Sequence, residues 1–290
     1  MAALADRRIE HLDTMPAMGG ALARSLMPSR STHVTIPEHA VRVHDHTQDP
    51  ERLARYARVC GFTLRDTVPA TWLHVLTFPL HVHLLGDPDS SVRLLGAVHT
   101  ANAMTLVRPV AVSEKLDLSV YLDHARSHRK GALIDLIGTV HVGDDVVWQG
   151  TSTYLAAGMS VNDGGPGEEG PRAPFEAGPV QARWLLPKDL GRQYRAVSKD
   201  PNPIHTHALA AKAFGFPRPI AHGMWTHARA LAALDGRLPD TFAAQVDFVK
   251  PVLLPGTVGF SWTQGDHTIS ADVVTKDGAK PHLRMRVTPA

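Results

Sequence analysis

An acid, an amide and two histidines fall within eight residues of the sequence, in the stretch "DPNPIHTH" at 200–207. Proline fixes its own φ and restricts the residue before it, so the two prolines predict a shaped, non-helical loop. A carboxylate and a neutral imidazole held in such a loop can exchange protons with a substrate near neutral pH. The alternative is a plain turn, because Asp-Pro and Asn-Pro are common turn signals.

Metal binding is the obvious competing use of these side chains. His205 and His207 form a His-x-His pair in a chain with 18 histidines. The single cysteine, Cys60, excludes a thiolate-rich zinc site and an internal disulfide, and is expected to be inert. Two imidazoles without a clear third ligand make a poor zinc site, so we expect no metal and no other cofactor, and place His207 at the surface or beside the site.

The composition is that of a soluble globular protein. The chain has 290 residues, 43% hydrophobic and 20% charged, with a net charge of +2. Neither nucleic acid nor a membrane is implied as a partner, since the charge is nearly balanced and arginine is spread along the chain. The start, "MAALADRRIEHLDTMP", lacks the apolar core of a signal peptide, and no later apolar run approaches about 18 residues. These features predict a cytoplasmic protein.

Two halves of the sequence echo each other. "YARVCGF" at Tyr56 matches "YRAVSKD" at Tyr194, and "TLVRPVAVSEKLDLSV" at Thr105 matches "DFVKPVLLPGTVGFSW" at Asp247, at offsets of 138 and 142 residues. A nearly constant offset indicates a duplicated domain. The Gly-, Pro- and acid-rich segment 158–179 is predicted to be a linker between an N-terminal domain, 1–157 with a tail at 1–34, and a C-terminal domain, 180–290.

The elements repeat in the two halves as well. Helices are predicted at roughly 71–85 and 221–234, the second ending near Gly236. Period-two alternation in "KLDLSVYLDHA", "ALIDLIGTVHVGDDVVWQGTSTYL", "TISADVVT" and "HLRMRVT" predicts antiparallel strands. One helix and several strands per half predict an α+β unit with the helix laid across a curved sheet.

From Tyr194 onward the sequence resembles the hydratase 2 motif of MaoC-like dehydratases. That motif runs Tyr, a few residues, Gly-Asp-x-Asn-Pro-Leu/Ile-His, and then His-Gly-Met at the head of the central helix. The residues that carry the resemblance are Tyr194, Asp200, Asn202, Pro203, His205, His222, Gly223 and Met224. In "TFPLHVHLL", "GAVHTANAMTLVRPVAV" and "HRKGALIDL" the first half resembles actinobacterial single-chain (3R)-hydroxyacyl-thioester dehydratases. The resemblance covers roughly residues 35–290 and implies a double hot-dog fold.

The resemblance implies reversible syn addition of water to a trans-2-enoyl thioester, giving the (3R)-hydroxyacyl form. By the same resemblance Asp200 and His205 are the acid–base pair that holds the water, and Asn202 orients them. The thioester oxygen gains negative charge, and the free backbone N–H of Gly223 at a helix N-terminus is suited to stabilise it. The remaining predicted site residues are supporting ones: Tyr194, Ser198, Pro203, His222 and Met224.

One position departs from the family, and the first half lacks a site. Lys199 stands where the family has Gly, so we expect a right-handed or slightly rearranged backbone there, with the Lys199 ammonium favouring ionised Asp200. When the two halves are aligned, Phe62 corresponds to Asp200, and no Asn-Pro-x-His follows Phe62. Near the helix head, "LTFP" stands where the second half has "AHGM". We therefore expect one site per chain, with a buried Phe62 in a substrate-accommodating first half.

Two other functions remain open at this point. A hot-dog scaffold can serve as a non-catalytic acyl-binding or assembly partner, although the intact residue set argues against it. An acyl thioesterase would need an acid on the central helix, and "HGMWTHARALAAL" contains none. The expected partners are an acyl-CoA or acyl carrier protein thioester, with the basic run "HARSHRK" at 124–130 as a hairpin end that could meet a carrier. The protein is expected to be a pseudo-dimeric monomer or a homodimer.

Overall fold

The computed structural model describes residue 4 and residues 6–16, 20–25, 27, 31–162, 175–176 and 178–290. Most of the predicted linker at 158–179 lies outside these residues. By their contacts the residues form two compact units. The first unit comprises Met1–Gln48, Leu73–Asn102 and Ser113–Arg172, and the second comprises Asp49–Trp72, Ala103–Val112 and Ala173–Ala290. The boundaries of the duplicated domains remain a prediction, since these units interleave along the chain.

The helices are α1 (Gly20–Ser25), α2 (Pro50–Cys60), α3 (Ala70–Leu85), α4 (Leu190–Ser198), α5 (Ala208–Ala213) and α6 (Gly223–Ala233). The strands are β1 (Ile9–Leu12), β2 (Ala40–His46), β3 (Ala97–Leu106), β4 (Leu116–His128), β5 (Gly131–Val142), β6 (Asp145–Ala157), β7 (Ala182–Leu186), β8 (Phe242–Phe248), β9 (Gly256–Gln264), β10 (Ile269–Thr275) and β11 (Pro281–Pro289). The predicted central helices and strands are confirmed to within a few residues. Within the described part of the chain, no helix combines the length and apolar character that crossing a bilayer requires.

In the first unit a twisted sheet carries the strand order β1-β2-β4-β5-β6-β3. Strands β1 and β2 are parallel, and the pairs β2–β4, β4–β5 and β5–β6 are antiparallel. Helix α3 lies against the sheet at Gly138, where an added Cβ would stand 3.2 Å from Oγ1 of Thr77. Its leucines, such as Leu76 and Leu80, are buried together with Leu118 and Leu136 of the sheet. The alternating pattern of the strands therefore faces α3 with its apolar side.

In the second unit the strand order is β8-β11-β10-β9-β7, and all four neighbouring pairs are antiparallel. Helix α6 packs against β10 and β11. Ala228 and Leu231 of α6 are buried, as are Val273 and Leu283 on those two strands. The sheet thus holds α6 with its N-terminus, Gly223, at a fixed place.

Helices α2 and α4 pack against each other in the second unit. They contain the two matching sequence segments that begin at Tyr56 and Tyr194. Tyr56 and Tyr194 lie at matching positions with ring centroids 6.2 Å apart. The side chain of Asp49 accepts a hydrogen bond from the Arg52 N–H at the start of α2, as an N-cap. Both helices end on a left-handed residue, Gly61 in α2 and Lys199 in α4.

The repeat also identifies what the first half has lost. The N–H of Val68 donates to the carbonyl of Val110, and at the corresponding place the N–H of Ala221 donates to Val252. This match puts the head of α3 at Ala70, so the expectation that "LTFP" marks the head was wrong, because those residues lie inside α3. Gly61 corresponds to Lys199, which lies 138 residues later, whereas Val68 corresponds to Ala221, which lies 153 residues later. The first half is therefore 15 residues shorter in the segment that corresponds to the loop 199–207 and α5.

Candidate active site

The loop after α4 is held in shape by its own polar side chains. The N–H of Asp200 donates to Ser198 Oγ at 3.2 Å, and the N–H of Asn202 donates to Asp200 Oδ1 at 2.9 Å. Asn202 Oδ1 in turn accepts from the Ile204 N–H at 3.3 Å and caps a 3-10 turn over Pro203–His205. Asn202 thus fixes the turn that carries His205, and its backbone fixes one oxygen of Asp200.

His205 is buried and held in one tautomer. Its Nδ1 lies 2.8 Å from the carbonyl oxygen of Ile220. Because a carbonyl can only accept, Nδ1 carries the proton, and Nε2 of the neutral ring is left with a free lone pair. Burial lowers the pKa of His205, with Asp200 and the Ile220 hydrogen bond opposing that shift. The residue is therefore a neutral base at neutral pH.

Gly191 on α4 makes room for this arrangement. A Cβ at Gly191 would lie 1.9 Å from the carbonyl oxygen of His205, which is a clash with backbone that cannot rotate away. The close approach of helix α4 to the turn therefore needs glycine. The sequence analysis did not single out Gly191. A glycine inside a predicted helix is a sequence signal that often has a packing reason.

Asp200, His205 and His222 form one cluster of titratable side chains. One ligand-type atom from each lies within 4.8 Å of the others. His222 Nε2 is 3.8 Å from Asp200 Oδ2, and the side chain of Asp200 is 21% exposed. Burial raises the pKa of Asp200, although His205 and the hydrogen bond from Asn202 oppose this. A carboxyl group with a raised pKa beside a neutral imidazole can give and take protons in both directions.

His222 lies under the catalytic turn. Its ring stacks on that of His205 with centroids 3.7 Å apart, and its centroid lies 4.9 Å from that of the Tyr194 ring. Burial, followed by the neighbouring His205, lowers the pKa of His222 well below its ordinary value. Within the described residues, neither ring nitrogen of His222 has a hydrogen-bond partner. The ring is uncharged and braces His205 by contact.

Gly223 opens helix α6 beside this cluster. The structure gives its N–H no hydrogen-bond acceptor among the residues that it describes. A Cβ at Gly223 would lie 3.0 Å from the ring of Phe248, at the end of β8. A free N–H at a helix N-terminus is a donor for an anion. Phe248, which the sequence did not reveal, forms the wall next to that donor.

Lys199 adopts a left-handed backbone with φ of 60° and ψ of 18°. The expected right-handed or rearranged backbone was wrong, because Lys199 is the C-cap of α4 and its N–H donates to the Arg195 carbonyl at 2.8 Å. A non-glycine residue there costs about 1 kcal/mol. Burial raises the pKa of Asp200, with His205, the Asn202 hydrogen bond and Arg195 opposing it, and the expected contribution of Lys199 stays a prediction.

The other residues singled out in the sequence fall in different places. His207 is exposed at the start of α5, outside the cluster. Met224 is buried in the core of the second unit. Phe62 is half-buried, which corrects the expectation of a fully buried ring, and its centroid is 6.3 Å from that of Tyr56. Burial raises the pKa of the Cys60 thiol well above its ordinary range, as an unreactive cysteine requires.

A metal ion is a poorer use of the cluster than proton transfer. His205 and His222 overlap face to face with ring centroids only 3.7 Å apart, so their in-plane lone pairs run side by side and do not converge on one ion. Nδ1 of His205 is also committed to the Ile220 carbonyl. Of the His-x-His pair, only His205 belongs to the group, and His207 is exposed.

Comparisons with known proteins agree with this geometry. The model of the MaoC-like domain matches residues 174–284, which contain the whole cluster. A curated protein of Mycobacterium tuberculosis, 3-hydroxyacyl-thioester dehydratase X, is 39% identical over 254 residues, covering 87% of this chain and 90% of that protein. The chain belongs to the MaoC-like family.

Two solved structures show which fold this MaoC-like chain adopts. The crystal structure of HtdX from Mycobacterium tuberculosis, at 2.4 Å resolution, matches with a TM-score of 0.77 and 36% identity, covering 87% of this chain and 100% of that chain. A second Mycobacterium tuberculosis protein, described as a double hot-dog fold, matches with a TM-score of 0.51 at 14% identity over 91% of this chain and 96% of its own. The predicted α+β double hot-dog fold is confirmed.

Proposed function

We propose that the protein is a (3R)-hydroxyacyl-thioester dehydratase, which reversibly adds water to a trans-2-enoyl thioester. The observation that carries the proposal is the cluster itself: a neutral His205 with Nε2 free, Asp200 fixed beside it, and the unpaired N–H of Gly223 nearby. The 39% identical relative is named a 3-hydroxyacyl-thioester dehydratase, and this supports the same chemistry here.

The proposed reaction needs two proton transfers on one face of the substrate. In the hydration direction the oxygen of water attacks Cβ while one member of the pair removes its proton, and the other member delivers a proton to Cα. Dehydration reverses both steps, with His205 and Asp200 exchanging roles. The lowered pKa of His205 and the raised pKa of Asp200 suit this exchange near neutral pH.

Negative charge builds on the thioester oxygen when Cβ is attacked. The N–H of Gly223 is the group proposed to receive it, because the donor is fixed before the reaction and the helix dipole of α6 favours an anion there. The ring of Phe248 packs against the Cα side of Gly223 and is proposed to limit the access of water to this donor. The oxyanion would thus lie in a partly dry environment where a hydrogen bond is worth more than in water.

The first half is proposed to have no site of its own. It lacks the 15-residue segment that carries Asn202 and His205 in the second half, and Phe62 takes the place of Asp200. One site per chain follows. Phe62 is the residue we expect to meet the acyl chain, and Phe62→Ala should then change the ratio of kcat/KM between short and long enoyl thioesters. An unchanged ratio would leave Phe62 a purely structural residue.

The two alternative functions give different outcomes in the same assay. A thioesterase would release a free thiol, but α6 carries no acidic residue that could activate water at the carbonyl. A non-catalytic acyl-binding partner would change neither the enoyl group nor the thioester. We also propose a cytoplasmic protein that acts on acyl groups carried by CoA or by an acyl carrier protein, as a pseudo-dimeric monomer or a homodimer.

The test is a hydration assay with matched variants. Crotonyl-CoA should lose its enoyl absorbance without release of free CoA, and crotonyl-acyl carrier protein tested beside it identifies the carrier. Asp200→Asn and His205→Ala should each lower kcat by about 10²–10⁴, and the double variant should be far from additive. His207→Ala, an exposed neighbour, is the control. Near-normal turnover in a folded His205→Ala variant would contradict the proposal.

A further inference from the structure

A second group of histidines lies in the first unit, outside the proposed site. Nδ1 of His11 on β1 is 3.2 Å from Nε2 of His44 on β2. The two rings are nearly parallel, at 8°, but their centroids are 5.3 Å apart, so they meet at their edges and do not overlap face to face. The other nitrogen of His44, Nδ1, is 2.7 Å from Asp117 Oδ2 on β4. Both imidazoles are exposed, so an ion from solvent can reach them. We name this group the β1–β2 histidine pair.

The geometry of the pair is produced by an irregularity in the sheet. The register of β2 against β4 shifts between Val43 and His46, so that His44 and Asp45 both lie opposite Asp117. Asp45 adopts a φ of 51°, unusual for a residue other than glycine, and its N–H donates to Asp117 Oδ1 at 3.0 Å. Bulges of this kind re-aim side chains, and strained backbone is concentrated at functional sites. Here the bulge directs His44 toward β1.

Asp117 determines which nitrogen of His44 is free. A carboxylate only accepts, so His44 Nδ1 carries the proton and the Nε2 lone pair faces His11. Burial alone would raise the pKa of Asp117, but the hydrogen bonds from Asp45 and His44 hold it below its ordinary value. A carboxylate bound to the far nitrogen of a histidine is the usual second shell of a metal-binding imidazole.

We propose that His11 and His44 together bind one divalent transition-metal ion, of the class of Zn²⁺, Ni²⁺ or Cu²⁺, with Asp117 orienting His44. Two nitrogens bound to one ion at about 2.0–2.1 Å and near the tetrahedral angle lie about 3.3 Å apart, and the pair stands at 3.2 Å. Water completes the coordination, so the affinity should be modest and should follow the order that puts Cu²⁺ above Ni²⁺ and Zn²⁺.

The ion would join the N-terminal strand to the sheet. Strand β1 has four residues and is an edge of the first unit, where β2 is its only partner among the described strands. A short edge strand is easily displaced, and an ion held by one residue from each strand cross-links them. This role is independent of the proposed dehydratase activity, so either proposal can fail without the other.

The test is titration of the full-length chain with Cu²⁺ and Zn²⁺ by calorimetry, with Cu²⁺ coordination followed by electron paramagnetic resonance. One ion per chain should bind most tightly. His11→Ala and His44→Ala should each weaken that binding at least 10-fold, and Asp117→Asn by about 10–100-fold. His267→Ala, an exposed histidine between β9 and β10, should have no effect.

Two results would overturn this proposal. One is identical titrations of the wild type, His11→Ala and His44→Ala, which would mean that the tightest site lies elsewhere among the 18 histidines. The other is loss of that ion in His222→Phe with the β1–β2 histidine pair intact, which would place it at the catalytic turn. Circular dichroism of each variant distinguishes a lost ligand from a lost fold.

Discussion

The imidazole of His222 stacks on that of His205, with ring centroids 3.7 Å apart and planes 25° from parallel. Both rings are buried, and burial lowers the pKa of each. Two neutral rings can stack in this way, whereas two charged ones would repel each other. The contact makes His222 a support for the proposed base and leaves the proton transfers to His205 and Asp200.

This support can be separated from proton transfer by changing His222 alone. His222→Phe keeps a flat ring and removes two nitrogens that have no hydrogen-bond partner among the described residues, so kcat should fall by less than about 10-fold. His222→Ala removes the stacked ring, leaves a cavity and should lower both kcat and the free energy of unfolding, the latter by about 2–4 kcal/mol. A fall of 10²-fold or more in a folded His222→Phe variant would instead make His222 a proton carrier.

Gly191 should be as sensitive to substitution as a residue of the catalytic pair. Gly191→Ala puts a Cβ 1.9 Å from the carbonyl oxygen of His205. The turn must then shift, so we expect a loss of about 10²-fold in kcat and of about 1–3 kcal/mol in the free energy of unfolding. Gln193→Ala, at an exposed position of the same helix, is the control for helix α4. Equal activity of the two variants would contradict the proposed role of Gly191.

Lys199 offers a test of backbone strain next to the site. Because its φ is 60°, Lys199→Gly should be more stable to unfolding than Lys199→Ala by about 1 kcal/mol. Both variants remove the ammonium group, so the comparison isolates the backbone. Urea unfolding of the two proteins measures the difference. A Lys199→Ala variant that is as stable as Lys199→Gly would mean that the left-handed conformation carries no strain.

The sequence could predict the parts of the site that follow from local order. The motif places Asp200 and His205 on one loop and Gly223 at a helix head, because prolines, helix signals and residue spacing act over short distances. The echo between Tyr56 and Tyr194 likewise predicted a duplicated domain, whereas the double hot-dog fold was implied by the resemblance to MaoC-like dehydratases.

Other features depend on contacts that spacing does not encode. Gly191 approaches His205 only because α4 folds back on the catalytic turn, and Phe248 reaches Gly223 from a distant strand. The left-handed backbone of Lys199 follows from its position as the C-cap of α4. The glycine that the family has at this position is typical of such a cap, whereas a lysine is not. His11 and His44 are 33 residues apart and meet through strand pairing and a bulge.

Acid should destabilise the fold through buried histidines. Burial lowers the pKa of His227, on α6, from 6.5 to about 3, and that of His81, on α3, to about 4. Below pH 6.5 the unfolded chain binds protons that the folded protein excludes, so this contribution to stability is complete above pH 6.5 and is lost as pH falls toward these lower values. The loss approaches about 1.4 kcal/mol per pH unit for each histidine.

Urea unfolding at a series of pH values between neutral and the folded pKa of His81 measures this slope. His227→Leu removes one of these groups and should lower the slope by up to about 1.4 kcal/mol per pH unit. His267→Ala, which removes an exposed histidine, should leave the slope unchanged. A His227→Leu slope equal to that of the wild type would contradict the account.

The stereochemistry of hydration distinguishes the proposed (3R)-specific enzyme from one that forms the (3S) alcohol. The full-length protein is incubated with crotonyl-CoA, the product thioester is hydrolysed chemically, and the 3-hydroxybutyrate is resolved on a chiral column beside a reaction with His205→Ala. The account predicts mainly the (3R) product from the wild type and a rate lower by about 10²–10⁴ from the variant. Mainly (3S) product, or hydration that His205→Ala leaves unchanged, would contradict it.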